Sequence, residues 1–517
     1  MGSSAISGMF LLSSAIAVAQ SGGTFTVTGA MTTTRDGHTA TLLNNGKVLM
    51  AGGESGFNPA GGPPLPGAPP GTGSGAYSIV LATTELYDPV SGTFARTGDM
   101  TVPRSWHTAT LLPDGRVLIA GGNSTPPPVI AGGNSTPPPA IPPNTAEIYD
   151  PSTGTFAATG NMISGHVCQQ ANLLFDGRVL IVGGSGASAA HAELYDPARG
   201  TFASAGADAS VTSGGNTCQG SVSTVLSDGK VLIVWETASA EIFDPAAGSF
   251  TATANLSSPQ VFPPYGIDFN DGLPTATLLL NGKVLLAGGG NDSGIHANAE
   301  LYDPSTGAFT AAGAMTTGRD GQTATLLPDG TVLMAGGYLY GPGDVTLAST
   351  ELYDPTRDAF TPSGNMSTPR GGGQTATLLA DGRVLIAGSP NSSIAELYNP
   401  RALAPPPALF SLSGDGQGQG AIWDATTGLV PSPVMPAVAG EILSMYTSGL
   451  SEGSVIPPQV SIGGSLAQIL YFGDAPGWPG FFQVNFRVPN GIAPGSAVPV
   501  RLSYLGRSSN EVSISVQ

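Results

Sequence analysis

Short apolar runs of four or five residues, bounded by Gly, Asp or Asn, recur along roughly the first four hundred residues, and the apolar period never lengthens to that of a helix. Val48-Leu-Met-Ala51 is apolar at every position, which predicts a strand buried on both faces. Thr39-Ala-Thr-Leu-Leu43 precedes it as another strand, joined through Asn44-Asn45-Gly46, where the Asn-Gly step supplies the positive φ angles of a tight hairpin. Gly52-Gly53 then lets the backbone turn where a side chain would clash. Glu85-Leu-Tyr87 reads as a third strand, stopped by Asp88-Pro89, and Gly92-Thr-Phe94 opens a fourth.

Each of these phrases returns. The hairpin turn recurs at Asp114, Asp176, Asp228, Asn281, Asp329 and Asp381. The third-strand glutamate recurs at Glu147, Glu193, Glu241, Glu300, Glu351 and Glu396, and the fourth-strand aromatic at Phe156, Phe202, Phe250, Phe309 and Phe360. Turn spacings range from 48 to 69 residues, so insertions fall in loops while the strands stay uniform. Four antiparallel strands repeated seven times predict a seven-bladed β-propeller, whose stacked blades bury strands on both sides. The last unit, ending at Tyr398-Asn-Pro400, lacks its Gly-x-Phe, whereas the chain opens with an orphan Gly23-Thr24-Phe25. The N-terminal strand is therefore expected to complete blade 7 as its outermost strand and close the ring.

These units resemble the kelch-repeat propellers, through Val117-Leu-Ile-Ala-Gly-Gly122, the third-strand Tyr149 and the fourth-strand Phe156. The resemblance spans about residues 23–400. The usual fourth-strand tryptophan is Phe throughout, Trp235-Glu236 replaces the diglycine of blade 4, and Gly388-Ser389 weakens that of blade 7. Blade 4 is thus expected to pack less regularly. Kelch propellers also form the core of copper-radical oxidases resembling galactose oxidase, which implies two Tyr and two His ligands, a Cys–Tyr crosslink, and one His from the C-terminal domain. The histidines here are His38, His107, His166, His191 and His296, so none follows the repeats. No cofactor is expected.

Pro405-Pro406-Pro407 reads as a stiff linker. Beyond it, segments of period two, such as Gln459-Val-Ser-Ile462 and Phe482-Gln-Val-Asn-Phe-Arg-Val488, predict a small β-sandwich. That stretch looks like the immunoglobulin-like C-terminal module of exported bacterial proteins, which implies spacing or attachment. The expected organisation is a signal peptide at 1–19, the propeller at 20–403, the linker at 404–407 and the sandwich at 408–517.

Composition narrows the function. The chain of 517 residues carries a net charge of −18, with Lys only at Lys47, Lys230 and Lys283, which excludes nucleic-acid binding by a basic face. An apolar run from Met9 ending in Ala17-Val18-Ala19 reads as a secretory signal, although no Lys or Arg precedes it. No later stretch is long enough for a membrane helix. Cys168 and Cys218 are compatible with one disulfide in an oxidising compartment. They sit in adjacent blades near the start of innermost strands, as an inter-blade bridge or as two buried thiols.

The strand order places the insertions 54–83, 123–145 and 338–349 on the face where each first strand begins. There stand Arg35, Arg104, Arg319 and Arg370, followed three residues on from the first three by His38, His107 and Gln322, with Gln374 in the same register. These side chains are expected to ring one mouth of the channel. One reading is a polar pocket for carboxylate or hydroxyl-rich ligands, with Arg as a planar fork of donors and Trp106, Tyr338 and Tyr340 stacking on a sugar face. The other is structural, the arginines satisfying loop carbonyls or blade carboxylates. One glutamate in every blade points to a structural hydrogen bond. The expected function is an exported (secreted, periplasmic or cell-surface) recognition protein, a monomer that binds an extracellular glycan, an acidic ligand or a protein partner. A carbohydrate-active oxidase or lyase and a structural envelope component are the alternatives.

Overall fold

The computed structural model describes residues 22–56, 79–124, 144–184, 192–206, 221–235, 237–257, 274–291, 294–339, 345–389 and 392–517; the readings for 1–19, His191, Cys218 and Tyr340 lie outside the described residues. Seven four-stranded antiparallel sheets form the repeats among these residues. Blade 1 comprises Thr39–Leu42, Val48–Ala51, Thr84–Asp88 and Thr93–Arg96. The first strands lie side by side in a closed cycle, that of blade 1 resting against those of blades 2 and 7.

The all-apolar second strands are buried at every position because each is clamped between two neighbours. In blade 1, Val48 and Met50 pack with Leu385 and Ala387 of blade 7. Leu49 and Ala51 pack with Val117 and Ile119 of blade 2. Alternate side chains of one four-residue strand therefore fill two different inter-blade cores. The third-strand tyrosine stacks on the fourth-strand phenylalanine, as at Tyr149 and Phe156, with ring centroids 4.8 Å apart.

Closure takes the expected form. Thr24–Ala30 pairs antiparallel with Ile394–Asn399, setting Phe25 opposite Tyr398. Their ring centroids lie 5.2 Å apart, repeating the contact of every other blade. Thr28 on this strand reaches across to the Tyr87 hydroxyl at 2.8 Å, tying blade 7 to blade 1. Blade 4 departs from expectation. Its described ladder runs without a register shift, and Trp235, in place of the first glycine, is buried with Leu180 and Val182 of blade 3.

Residues from Ala408 onward form two five-stranded sheets. Their inner faces bury Leu443, Met445, Val484, Phe486, Val500 and Leu502. This sandwich sits on the hairpin-turn face of the propeller, opposite the arginine-side mouth. Ser508 Oγ donates to Asn44 Oδ1 at 2.7 Å, Val455 N–H to Leu280 O at 2.9 Å, and Ser451 Oγ to Pro328 O at 3.0 Å. Buried Arg507 donates to Ala404 O at 2.9 Å and to Ala380 O at 3.4 Å. No helix among the described residues is long and apolar enough to cross a membrane.

Candidate functional site

The four arginines are not on the channel wall. Arg35 is fully buried and all five of its N–H donors are used: Nε and one Nη2 hydrogen on Glu85, the others on Gly52 O, Thr83 O and Thr83 Oγ1, at 2.7–3.2 Å. Arg104 repeats this with Glu147, Gly121 and Thr145. Arg319 repeats it with Glu351, Gly336 and Ser349. Arg370 bonds Gly388 O, Ile394 O and Glu396. Each guanidinium thus staples the diglycine carbonyl of its blade to the third strand, and the glutamate's other oxygen takes a backbone N–H, as Glu85 Oε2 does from Thr32 at 2.7 Å. Burial pulls all four arginines below the usual guanidinium range, opposed by their glutamates. The expected arginine crown is therefore corrected: a side chain leaving the start of the first strand meets the blade's own carboxylate before it reaches the channel, and pairing there offsets burial.

Blade 3 substitutes His166 for arginine. Its Nε2 lies 3.0 Å from Glu193 Oε1 and from Ser164 Oγ, with Nδ1 at Gly183 O. Burial pushes Glu193 up, but the hydrogen bonds from His166 and from the Ile163 and Ser164 N–H groups outweigh it and hold the carboxyl below its usual range.

The residues three or four positions after the arginines do reach the mouth. A cavity of about 430 Å³ is lined by His38, Trp106, His107, Gln169, Gln322 and Gln374, with backbone and small side chains between them. Each stitches its blade to the preceding one. Gln169, Gln322 and Gln374 donate from Nε2 to Ala120, Ala287 and Ala335 carbonyls, each at 2.8 Å. His107 Nε2 meets Thr39 Oγ1, and His38 Nε2 meets Thr375 Oγ1, both at 3.1 Å. Thr375 Oγ1 also donates to Ala387 O at 3.4 Å. Burial, reinforced by Arg35 for His38 and Arg104 for His107, pushes both imidazoles down to about 3. Among the described residues the Nδ1 atoms of both histidines and the Oε1 atoms of the three glutamines are buried without a hydrogen-bond partner, closed to the cavity. Thr108, Gln170, Ser223, Thr275 and Thr277 also line the cavity, so its described lining is polar and neutral.

One position earlier, Gly37, Trp106, Cys168, Gly321 and Gly373 share a register and all have positive φ, from 53° at Trp106 to 75° at Gly373. Trp106 and Cys168 hold there a conformation that side chains disfavour. Trp106 N–H donates to Gly37 O at 2.8 Å, and Gly37 N–H to Gly373 O at 3.0 Å, a backbone relay across three blades. The indole lies over Gly37, where any Cβ would come within 2.6 Å of it. Trp106 remains partly exposed at the rim. Cys168 is disulfide-bonded, and Cys218, the other cysteine of the chain, lies outside the described residues. Tyr338 turns away from the cavity onto Gly371, whose added Cβ would meet the ring at 2.2 Å. Gln169 was missed in the sequence because its blade lacks the preceding arginine; the shared Gly-or-Trp-or-Cys register was the available signal.

No family model matches the chain, and no curated protein does. Among solved structures, it resembles a fungal alcohol oxidase of the AA5 family, determined in complex with copper, with a TM-score of 0.57 and 16% identity over 96% of this chain and 99% of that one. The architecture is therefore that of a galactose-oxidase-like kelch propeller with a C-terminal sandwich. The likeness concerns the fold. Among the described residues no three His, Cys, Asp or Glu side chains gather as metal donors. His38 and His107 each commit Nε2 to a threonine, and residues 408–517 contain no histidine. The donors present do not fit a copper centre of that kind.

Proposed function

We propose that this chain is an exported recognition propeller whose arginine-side mouth binds a neutral, hydroxyl-rich ligand such as an extracellular glycan. The observation that carries the reading is Trp106, held at φ 53° and partly exposed on the rim of a cavity whose described lining includes the neutral polar side chains of Thr108, Gln170, Ser223 and Thr277. Hydroxyl groups of a sugar can pair with the partly exposed side chains of Thr108, Gln170 and Ser223, and the indole offers an apolar face to the C–H side of the ring. With every donor of Arg35, Arg104 and Arg319 engaged inside the blades and Arg370 fully buried, none of these four cations is open to an acidic ligand. Histidines pushed down to about 3 exchange no protons near neutrality, which favours binding over acid–base catalysis at this mouth.

Glycan-array screening of the intact protein, followed by titration of the best neutral glycan, tests the proposal. Trp106→Gly keeps the backbone conformation, since Gly occupies this register in three other blades, and is expected to weaken binding at least tenfold without lowering the melting temperature. No glycan bound, or unchanged affinity in W106G, would return the protein to the class of structural envelope components.

A further inference from the structure

The seating of the sandwich on the propeller is not uniform. At the hairpins of blades 1, 5, 6 and 7 it makes the hydrogen bonds described above, and at blade 2 the backbone of Gly464 packs on Asp114. At blades 3 and 4 the two parts separate around a cavity of about 810 Å³. The propeller side supplies Phe175, Asp176, Ser227 and Asp228, and the sandwich side supplies Pro457–Gln459 and the residues from Leu466 to Phe472.

The sandwich wall of this cavity is a sheet edge. Among the described residues Gln468–Asp474 is the terminal strand of its sheet and pairs only with Phe482–Arg487. The preceding Ser465–Leu466 is the terminal strand of the other sheet. The register shifts between Ile469 and Tyr471, leaving Leu470 bulged out of the ladder. Leu470 and Tyr471 are 41% and 46% exposed, and Phe175 across the gap is 36% exposed. Natural edges are usually blunted by Lys, by Pro or by a bulge; the sequence Gln-Ile-Leu-Tyr-Phe-Gly-Asp has neither Lys nor Pro, and its bulge at Leu470 leaves the run from Tyr471 to Asp474 in regular register. The backbone of this edge strand therefore borders a groove with both polar and apolar lining.

The groove also has a sign. Asp176 is neutralised by Arg178 at 2.6 Å within its own hairpin. Asp228 is not: Lys230 turns its ammonium to Asp244 at 3.6 Å, and Asp228 Oδ1 accepts only the Lys230 N–H of its own turn.

We infer that this groove binds an extended peptide carrying a basic side chain, which adds as a strand to the edge Gln468–Asp474 and sets its Lys or Arg against Asp228. Main-chain hydrogen bonds to the open edge supply affinity, the Phe175, Leu470 and Tyr471 surface accepts alternate apolar side chains, and the single unneutralised carboxylate selects charge. The site is remote from the channel mouth and independent of its ligand.

The test uses the intact chain and the peptide acetyl-Val-Lys-Val-Arg-Val-Thr-amide, read by calorimetry and by amide hydrogen exchange. Binding is expected to slow exchange across 468–474. Methylating alternate peptide nitrogens, replacing Lys and Arg by Glu, or changing Asp228→Asn is each expected to weaken binding at least tenfold. Asn keeps the turn's side-chain acceptor, so D228N should fold, and glycan affinity at the mouth should be unaltered in it. An N-methylated peptide that binds equally well would show an apolar pocket without strand addition. Equal binding of the Glu peptide, or no binding at millimolar concentration, overturns the proposal as well.

Discussion

Arg319 distinguishes a blade staple from a ligand anchor most directly. Its side chain is 1% exposed, as is that of its partner Glu351, with Nη2 and Oε1 3.1 Å apart. Arg319→Ala strands a buried carboxylate that retains only the Thr316 and Thr317 N–H groups, at 2.7 and 3.2 Å. It also strips donors from the Gly336 and Ser349 carbonyls. Breaking a buried pair by removing one partner costs about 3–5 kcal/mol; Ser349 O keeps the Gly336 N–H at 3.3 Å, and the orphaned Gly336 carbonyl, at about 1–3 kcal/mol but not additive with it, places the loss in the upper part of that range. Removing both charges, in Arg319→Met with Glu351→Gln, is expected to cost less than R319A alone, because no uncompensated ion stays inside. Urea unfolding followed by circular dichroism measures this, as a fall in midpoint at constant slope. Folded R319A should bind the mouth ligand with unchanged affinity. An unchanged urea midpoint together with lost ligand binding would refute the staple and put the guanidinium at the ligand.

Three further outcomes follow from the same geometry. Phe25→Ala removes the aromatic that closes blade 7 against Tyr398; since Phe25 is half-buried, a loss of about 1–1.5 kcal/mol, half the full-burial value, is expected, and an unaltered melting curve would mean the ring does not depend on its first strand. His38 and His107 are held neutral by burial down to about pH 3, whereas the unfolded chain protonates them near 6.5. The unfolded state thus binds more protons in that window, and stability falls with acidification by roughly 1.4 kcal/mol per pH unit for each histidine. The double change to Gln, the residue of blades 3, 6 and 7 in this register, should flatten the acid limb; a superimposable limb would place the acid sensitivity elsewhere. In the sandwich, burial and the nearby Asp424 carboxylate push Glu441 up, so the folded state holds this proton more tightly and loses that stabilisation as pH rises through the raised value. Glu441→Gln, which keeps an acceptor for the Val438 N–H, should raise the melting temperature near neutrality more than at pH 4; equal shifts at both would speak against a shared proton.

What the sequence determined by itself was everything with a local period. Four-residue apolar runs specify strands buried on two faces, Asp-Gly and Asn-Gly steps specify hairpins, seven copies specify seven blades, and an orphan Phe25 beside a blade lacking its aromatic specifies the closure. These follow because hydrophobic alternation and turn chemistry act over a few residues. The register of His38, His107, Gln322 and Gln374 at the mouth was legible for the same reason. Tertiary structure alone decided where the polar side chains point. Arg35 lies 50 residues from Glu85, and only the folded blade brings its five donors to that carboxylate and to the Gly52 and Thr83 carbonyls, which withdraws from the channel the side chains that looked most like a ligand site. It likewise decided that Trp106, rather than the arginines, stands at the rim, and that the sandwich leaves a sheet edge open beside Asp228. Burial makes an unpaired charge costly, so a long cationic side chain goes to the nearest partner in space, and proximity in space is set by how the strands stack.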